Sequence, residues 1–238
     1  MNLMERAFLY GDLLFESMRV EYGRIPHIAR HFKRLEQSAQ TLKIDLCGLN
    51  EEKFNRLCEQ KIAEFEAQNP DSSFLRLRAV LYRDSQGTYL PLENKGKLEL
   101  QISEITYLVQ PEILRLGIYT PQQKAPGILA NLKTGNALIY VMASIWAQEN
   151  NLDGALILNT QNAIIESTHS NIFWRKGTTW FTPPLADGCV AGIGRQLFME
   201  SHTVEEKSCH TQDLLNADEC LLSNALNAPR NFRVIELG

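Results

Sequence analysis

Two side chains in the central part of the sequence could perform covalent chemistry on a bound cofactor. Lys133 follows a short strand-like segment and precedes the small residues that open a helix. A lysine that is shielded from water near other cations loses its proton more easily and can form a Schiff base with an aldehyde. Glu166 comes one helix and one hairpin turn later, among small polar residues. A carboxylate at that place could keep a pyridine nitrogen protonated, which makes the ring an electron sink. Either residue alone would be an ordinary surface group, but their order predicts a site for a pyridine cofactor that carries an aldehyde.

A second set of residues could bind a phosphate group. Residues 191–195, Ala-Gly-Ile-Gly-Arg, precede a helix, and their two glycines would let backbone N–H groups approach an anion at the positive helix end. Ser223 and Asn224 follow a buried-looking strand and could add a hydroxyl and an N–H, although a simple polar turn has the same composition. Arg34 borders the apolar stripe of an early helix, where its guanidinium could point inward at an anion or belong to a solvated basic face. With the lysine and the carboxylate, these features predict a pyridoxal-phosphate (PLP) enzyme.

The elements that must position these residues form two groups. The first half of the sequence predicts strands at residues 14–22, 74–82 and 97–105, and amphipathic helices that begin near Pro26 and Asn50. This order indicates an α+β domain. The second half predicts, in order, a helix at 135–150, strands at 153–158 and 163–166, a hairpin of 171–175 with 178–182, a helix at 196–202 and a last strand at 219–223.

The domain boundaries follow from a proline-containing stretch between the two groups. We expect an N-terminal α+β domain over residues 1–109, an interdomain connection over 110–126 and a C-terminal cofactor-binding domain over 127–238. The middle of the connection, residues 113–120, could itself be a strand of the second half.

Composition excludes several classes of protein. A net charge of −4 gives no electrostatic footprint for nucleic acid or an anionic membrane. The sequence has no apolar run of about 18 residues, so no spanning helix is expected, and its first residues do not read as a secretion signal. Five cysteines without CxxC spacing favour reduced thiols in the cytoplasm and no metal site.

Several motifs together resemble the fold-type IV PLP enzymes, or class IV aminotransferases. This family contains branched-chain aminotransferases, D-amino-acid aminotransferases and 4-amino-4-deoxychorismate lyases. The resemblance is carried by YGDLLFESMRV at 10–20, HFKRL at 31–35, Lys133 before its helix, ESTHSNIF at 166–173, TPPLADGCVAGIGRQ at 182–196 and LLSNAL at 221–226. It implies a two-domain fold like that of D-amino-acid aminotransferase, with an N-terminal α+β domain and a C-terminal mixed, barrel-like β domain with helices. It also implies a homodimer.

The resemblance assigns roles to individual residues. Lys133 would hold PLP covalently and then move the substrate proton as acid and base, and Glu166 would pair with the pyridine nitrogen. The phosphate would be bound by Arg34, by the backbone of Ile193 and Gly194, and by Ser223 and Asn224.

The subfamily is predicted less directly than the family. Residues 171–185, NIFWRKGTTWFTPPL, look most like the lyases, as does the short chain. Residues 83–89, however, match neither the lyase loop nor the Arg-x-His arrangement of the D-amino-acid aminotransferases. Carboxylate recognition could come from Arg19, Arg78 or Arg83, and Tyr10 could line the pocket or be a core aromatic.

Three hypotheses follow. The first is a PLP-dependent lyase of folate synthesis that converts 4-amino-4-deoxychorismate to 4-aminobenzoate and pyruvate. The second is an aminotransferase acting on branched-chain or D-amino acids. The third is a non-catalytic protein that has kept the fold.

Overall fold

The computed structural model describes residues 5–70, 72, 74–105 and 111–236. Its internal contacts divide the chain into two compact units. The first unit is Met1–Leu108 with Lys133–Asn136, and the second is Val109–Leu132 with Ala137–Gly238. The expected domain boundary at residues 109 and 110 lies outside the described residues, so the domain limits stay a prediction.

The first unit is built on a three-stranded antiparallel sheet in the order β1-β2-β3. Its elements are α1 (Glu5–Tyr10), β1 (Leu13–Val20), α2 (Ile28–Leu42), α3 (Glu51–Gln68), β2 (Leu75–Arg83) and β3 (Gly96–Glu104). Alternate residues of β1, from Leu14 to Val20, are buried on the face that α2 covers. The intervening residues, which include Phe15, Ser17 and Arg19, form the other face and are partly exposed. The predicted α+β arrangement of strand, two helices and two strands is therefore confirmed.

Local signals in the sequence set several of these boundaries. Asn50 caps α3 as predicted, because its side chain accepts a hydrogen bond of 2.9 Å from the Lys53 N–H. The turn at residues 21–24 is closed by two backbone hydrogen bonds between Glu21 and Arg24, of 2.7 and 3.0 Å. Helix α2 starts at Ile28, later than predicted, because His27 before it has a left-handed backbone with φ of 57°.

The second unit contains an eight-stranded mixed sheet in the order β6-β5-β4-β11-β10-β7-β8-β9. The strands are β4 (Leu114–Lys124), β5 (Gly154–Asn159), β6 (Ile164–Ser167), β7 (Asn171–Lys176), β8 (Thr179–Thr182), β9 (Val204–Glu206), β10 (Glu219–Ser223) and β11 (Arg230–Val234). Its helices are α4 (Leu138–Glu149), α5 (Ile193–Ser201) and α6 (Thr211–Leu215), with a 3₁₀ turn at Leu185–Asp187. Strand β4 pairs in parallel with β5 and β11, and β8 pairs in parallel with β9.

Successive residues of β5 face two different apolar cores. Leu156 and Leu158 belong to one cluster, whereas Ala155 and Ile157 belong to the other. The second cluster also takes the buried alanines of α4, Ala143 and Ala147. Burial on both faces explains why β5 has an apolar run in place of an alternating pattern.

Two features of this unit differ from the sequence prediction. Strands β9 and β11 and helix α6 were not predicted, and β11 lies between β4 and β10, where it joins the two halves of the sheet. Helix α4 begins at Leu138, three residues later than predicted, and it packs inward through its alanines while Leu138 and Met142 are 78% and 50% exposed. None of the described helices is long and apolar enough to cross a membrane.

Candidate active site

Lys133 is fixed beside β1 in the first unit. The Phe15 N–H donates to the Lys133 carbonyl at 2.9 Å, and Thr134 forms an antiparallel bridge with Leu14. The Lys133 Nζ atom lies 4.2 Å from the centroid of the Phe15 ring, and the central carbon of the Arg78 guanidinium lies 4.3 Å from the same centroid. The structure therefore brings the predicted amine and one candidate arginine to a single aromatic ring.

Arg34 belongs to a buried group of charges beneath the same sheet. Its Nε donates to Glu16 Oε1 at 2.7 Å, and one terminal nitrogen donates to Glu16 Oε2. His31 Nδ1 lies 2.6 Å from Glu16 Oε2. Burial raises the pKa of Glu16, but the charge of Arg34 and the hydrogen bonds from His31 and Arg34 outweigh it and hold that pKa below its ordinary value. One edge of the Arg34 guanidinium is thus bound to a carboxylate of the protein.

Glu16 and His31 are missing from the sequence prediction, although each had a signal. Glu16 alternates with Leu14 and Met18 on the buried face of β1, where an acid requires a cation. His31 lies three residues before Arg34 in α2, on the same side of the helix, and is only 2% exposed.

Glu166, in β6 of the second unit, is 3% exposed and accepts three described hydrogen bonds. Oε1 accepts from Lys124 Nζ at 2.8 Å and from the Tyr140 hydroxyl at 2.7 Å. Oε2 accepts from the Val190 N–H at 2.9 Å. Since a carboxylate offers about four lone-pair positions, one position on Oε2 is left for a further donor. Lys124 and Tyr140 were not predicted as site residues.

The loop before α5 is held by Asn171, which belongs to the same motif, residues 166–173, as Glu166. Asn171 Nδ2 donates to the Val190 carbonyl at 2.9 Å. A Cβ atom at Gly192 would lie 2.0 Å from Asn171 Oδ1, so this approach requires glycine. The spacing from Glu166 to Asn171 therefore lets both side chains bind Val190: Glu166 accepts from its N–H, and Asn171 donates to its carbonyl.

The predicted phosphate-binding residues of the second unit lie together at the start of α5. Ile193 and Gly194 are its first residues, so their N–H groups have no acceptor within the helix. A Cβ atom at Gly194 would lie 2.7 Å from Ser223 Oγ and 2.7 Å from the Asn224 carbonyl oxygen. The Asn224 side chain closes its own turn by accepting from the N–H groups of Leu226 and Asn227. The arrangement offers an anion the helix start and the Ser223 hydroxyl, with no side chain at residue 194 in the way.

The remaining candidate residues of the first unit have different surroundings. Arg83 is 6% exposed, and its guanidinium donates to Asp12, to Asn94 and to the backbone carbonyls of residues 42 and 43. Arg19 forms an ion pair of 3.0 Å with Glu21. The centroids of the Tyr10 and Tyr89 rings lie 5.4 Å apart.

Comparison with known proteins identifies the family. Residues 13–233 match the family model for amino-transferase class IV. The chain belongs to the class IV aminotransferase family. A relative, aminodeoxychorismate lyase from Vibrio harveyi, is 27% identical over 234 residues, which are 94% of this chain and 83% of the relative. D-alanine aminotransferase from Bacillus licheniformis is 25% identical over 250 residues, 94% of this chain and 78% of the relative.

The class IV assignment agrees with a solved structure. The branched-chain amino acid aminotransferase from Escherichia coli has a TM-score of 0.85 with 19% identity, and the match covers 99% of this chain and 81% of that one. The predicted fold-type IV class is therefore confirmed. Class IV aminotransferases are PLP-dependent, so this chain is a PLP-dependent enzyme. The second unit fits this cofactor, since Glu166 Oε2 retains a lone pair and the close approach of Gly194 to Ser223 and Asn224 brings a hydroxyl next to the start of α5.

Proposed function

We propose that this enzyme is a PLP-dependent lyase that converts 4-amino-4-deoxychorismate to 4-aminobenzoate and pyruvate, in folate biosynthesis. Lys133 holds the cofactor and moves the proton of the substrate carbon that bears the amine. PLP, when bound, accepts the electron pair that this proton leaves behind. Glu166 pairs with the pyridine nitrogen, while Arg34, Ile193, Gly194, Ser223 and Asn224 hold the phosphate.

The observation that carries the lyase proposal is a pair of arginines on the partly exposed face of β2. Arg76 and Arg78 are two residues apart and share this face with Phe15. Burial and the nearby charge of Arg76 lower the pKa of Arg78. Arg76 Nη2 donates to Ser103 Oγ at 3.2 Å, and its buried Nε has no hydrogen-bond partner among the described residues.

These two cations favour a substrate with two carboxylates. The described residues give neither Arg76 nor Arg78 a carboxylate partner, so both remain available to an anionic ligand. 4-Amino-4-deoxychorismate carries two carboxylates, whereas a branched-chain amino acid carries one. Arg78 lies against the ring that Lys133 also contacts, so we assign it to substrate recognition. Arg83 and Arg19 are instead bound to Asp12 and Glu21, and Tyr10 is kept as a pocket residue.

A product assay tests the reaction. Incubation of the PLP-loaded enzyme with 4-amino-4-deoxychorismate should release 4-aminobenzoate and pyruvate without any added 2-oxo acid acceptor. Amino-group transfer from branched-chain or D-amino acids that depends on such an acceptor would instead establish the aminotransferase, which the similarity to D-alanine aminotransferase supports. A protein that stays colourless when PLP is added would refute both enzyme functions.

Two variants test the residue assignments. Lys133→Ala should abolish the borohydride-reducible adduct with PLP, and an adduct at another lysine would show that the assignment is wrong. Arg78→Met should raise the KM for the dicarboxylate at least tenfold, because a charge-assisted pair is lost. Arg56→Met, which removes an exposed arginine of α3, is the matched control and should leave KM unchanged.

We also propose that the enzyme is a cytoplasmic homodimer. Four side chains on the outer side of α4 are apolar and exposed: Leu138, Val141, Met142 and Ile145. Residues 138–147 include no charged side chain, so a second copy could pack on this face without like-charge repulsion. All five cysteines are free, which supports a reducing compartment. A monomer mass in analytical ultracentrifugation would refute the dimer.

A further inference from the structure

The Glu166 carboxylate has two unequal oxygens, and the difference comes from two side chains outside the sequence motifs. Lys124 Nζ lies 2.8 Å from Oε1 and 2.7 Å from the Tyr140 hydroxyl, and that hydroxyl lies 2.7 Å from Oε1. The three groups close a triangle around one oxygen. Oε2 lies outside the triangle and accepts only the Val190 N–H among the described contacts.

Lys124 reaches this position because β4 is irregular. Strand β4 keeps register with β5 up to the pair Tyr119 and Ile157, and the next pair is Lys124 with Asn159. Between these two pairs, β4 advances by five residues while β5 advances by two. Pro121, which has no N–H to donate, lies within this irregular segment of β4. Irregularities of this kind re-aim a side chain. Here the re-aimed side chain is a lysine that is only 14% exposed.

Tyr140 can act only as a donor to Glu166. Burial and the adjacent Glu166 charge raise its pKa far above the ordinary value, so the hydroxyl keeps its proton. Because Lys124 donates to the same hydroxyl, the tyrosine proton is directed at Oε1. Lys124 also supplies the counter-charge that a carboxylate exposed to only 3% requires.

We propose that Lys124 and Tyr140 are positioning residues that hold the Glu166 carboxylate through Oε1 and thereby present the free lone pair of Oε2 to the pyridine nitrogen of the cofactor. The inference rests on the proposed pairing of Glu166 with that nitrogen. Oε2 is then the oxygen that bonds to the ring nitrogen, and Lys124 and Tyr140 keep it available by occupying Oε1. Loss of Lys124 leaves the buried carboxylate without its counter-charge and removes one of the two side chains that fix Oε1.

Cofactor affinity measured with two ligands tests the proposal independently of turnover. The ligands are PLP and its carbon analogue, in which C–H replaces the ring nitrogen so that no bond to Glu166 can form. Equilibrium dialysis of the cofactor-free protein should show that Lys124→Met weakens PLP binding at least tenfold and changes binding of the analogue less than twofold. Lys124→Arg should restore most of the PLP affinity, and Tyr140→Phe should show a smaller loss with the same selectivity for PLP.

Matched variants separate this role from a purely structural one. Lys207→Met removes an exposed lysine that pairs with Asp213 and should leave both affinities unchanged. Equal losses for both ligands in Lys124→Met would show that the ion pair only supports the fold and would overturn the proposal. Glu166→Gln, like Lys124→Met, should discriminate between the ligands by weakening the binding of PLP much more than the binding of the carbon analogue. If Glu166→Gln does not discriminate, the pairing of Glu166 with the ring is wrong and the inference fails with it. If Glu166→Gln discriminates and Lys124→Met does not, only the inference fails.

Discussion

Replacement of Glu16 by glutamine should destabilise the first unit by leaving a buried arginine without its counter-charge. Glu16 is 1% exposed and binds both Arg34 and His31. Breaking a buried ion pair by removing one partner typically costs about 3–5 kcal/mol. Glutamine keeps one acceptor oxygen for the guanidinium, so the free energy of unfolding should fall by about 3 kcal/mol, the lower end of this range. For a chain of this length, that corresponds to a fall in melting temperature of roughly 6–12 °C.

The same substitution should change how stability depends on pH. The folded-state pKa of Glu16 is lower than its ordinary value of 4.5. Near pH 4.5 and below, the folded protein therefore binds fewer protons at this group than the unfolded chain, and stability rises with pH. The contribution of Glu16 is fully present above pH 4.5 and is lost as the pH falls through the folded-state pKa. The difference in stability between the wild type and Glu16→Gln should accordingly shrink below pH 4.5.

Urea unfolding followed by circular dichroism at 222 nm is a suitable assay, because the two longest helices, α2 and α3, belong to the first unit. The three tryptophans all lie in the second unit, so their fluorescence follows that unit separately. Glu112→Gln removes an exposed carboxylate and serves as control. A loss below about 0.5 kcal/mol at pH 7, the usual range for surface substitutions, would refute the reasoning. So would a difference from the wild type that stays constant between pH 7 and pH 3.

Two further predictions concern the second unit and the cysteines. Gly194→Ala should weaken PLP binding at least tenfold in equilibrium dialysis, because the added Cβ would lie 2.7 Å from Ser223 Oγ and from the Asn224 carbonyl oxygen; unchanged affinity would contradict the assigned phosphate site. Titration of native protein with a thiol reagent should show one fast cysteine, Cys47, because it alone of the five is exposed and burial raises the pKa of others such as Cys58 to about 12. Cys47→Ser should remove the fast phase, and a fast phase that persists would contradict the described burial.

Structure that depends on neighbours in the sequence was predicted well. Alternation of apolar and polar residues located the three strands of the first unit, and the cap at Asn50 is a local hydrogen bond. Strand β11 was missed because it has only one buried residue, Phe232, and pairs with β4, which lies more than a hundred residues earlier in the chain. A pairing partner at that distance leaves no periodic signal of its own in a short segment.

The contacts of Arg83 and Lys124 depend on tertiary structure and could not be predicted from the sequence. Arg83 was a candidate for substrate binding because it begins a loop that other family members use. In the structure its guanidinium is taken by Asp12, Asn94 and two backbone carbonyls, contacts that join segments up to 71 residues apart. Lys124 carries no motif at all, and only the irregular register of β4 places it against Glu166.

The contrast between Lys124 and Lys133 shows why composition alone does not select a nucleophile. An amine must lose its proton before it can attack an aldehyde. Lys124 Nζ lies 2.8 Å from the buried Glu166 carboxylate and is bound to it as an ion pair. Lys133 lies against the Phe15 ring, and the Arg78 guanidinium lies against the same ring. These contacts support Lys133 as the covalent residue and Lys124 as the counter-charge of Glu166.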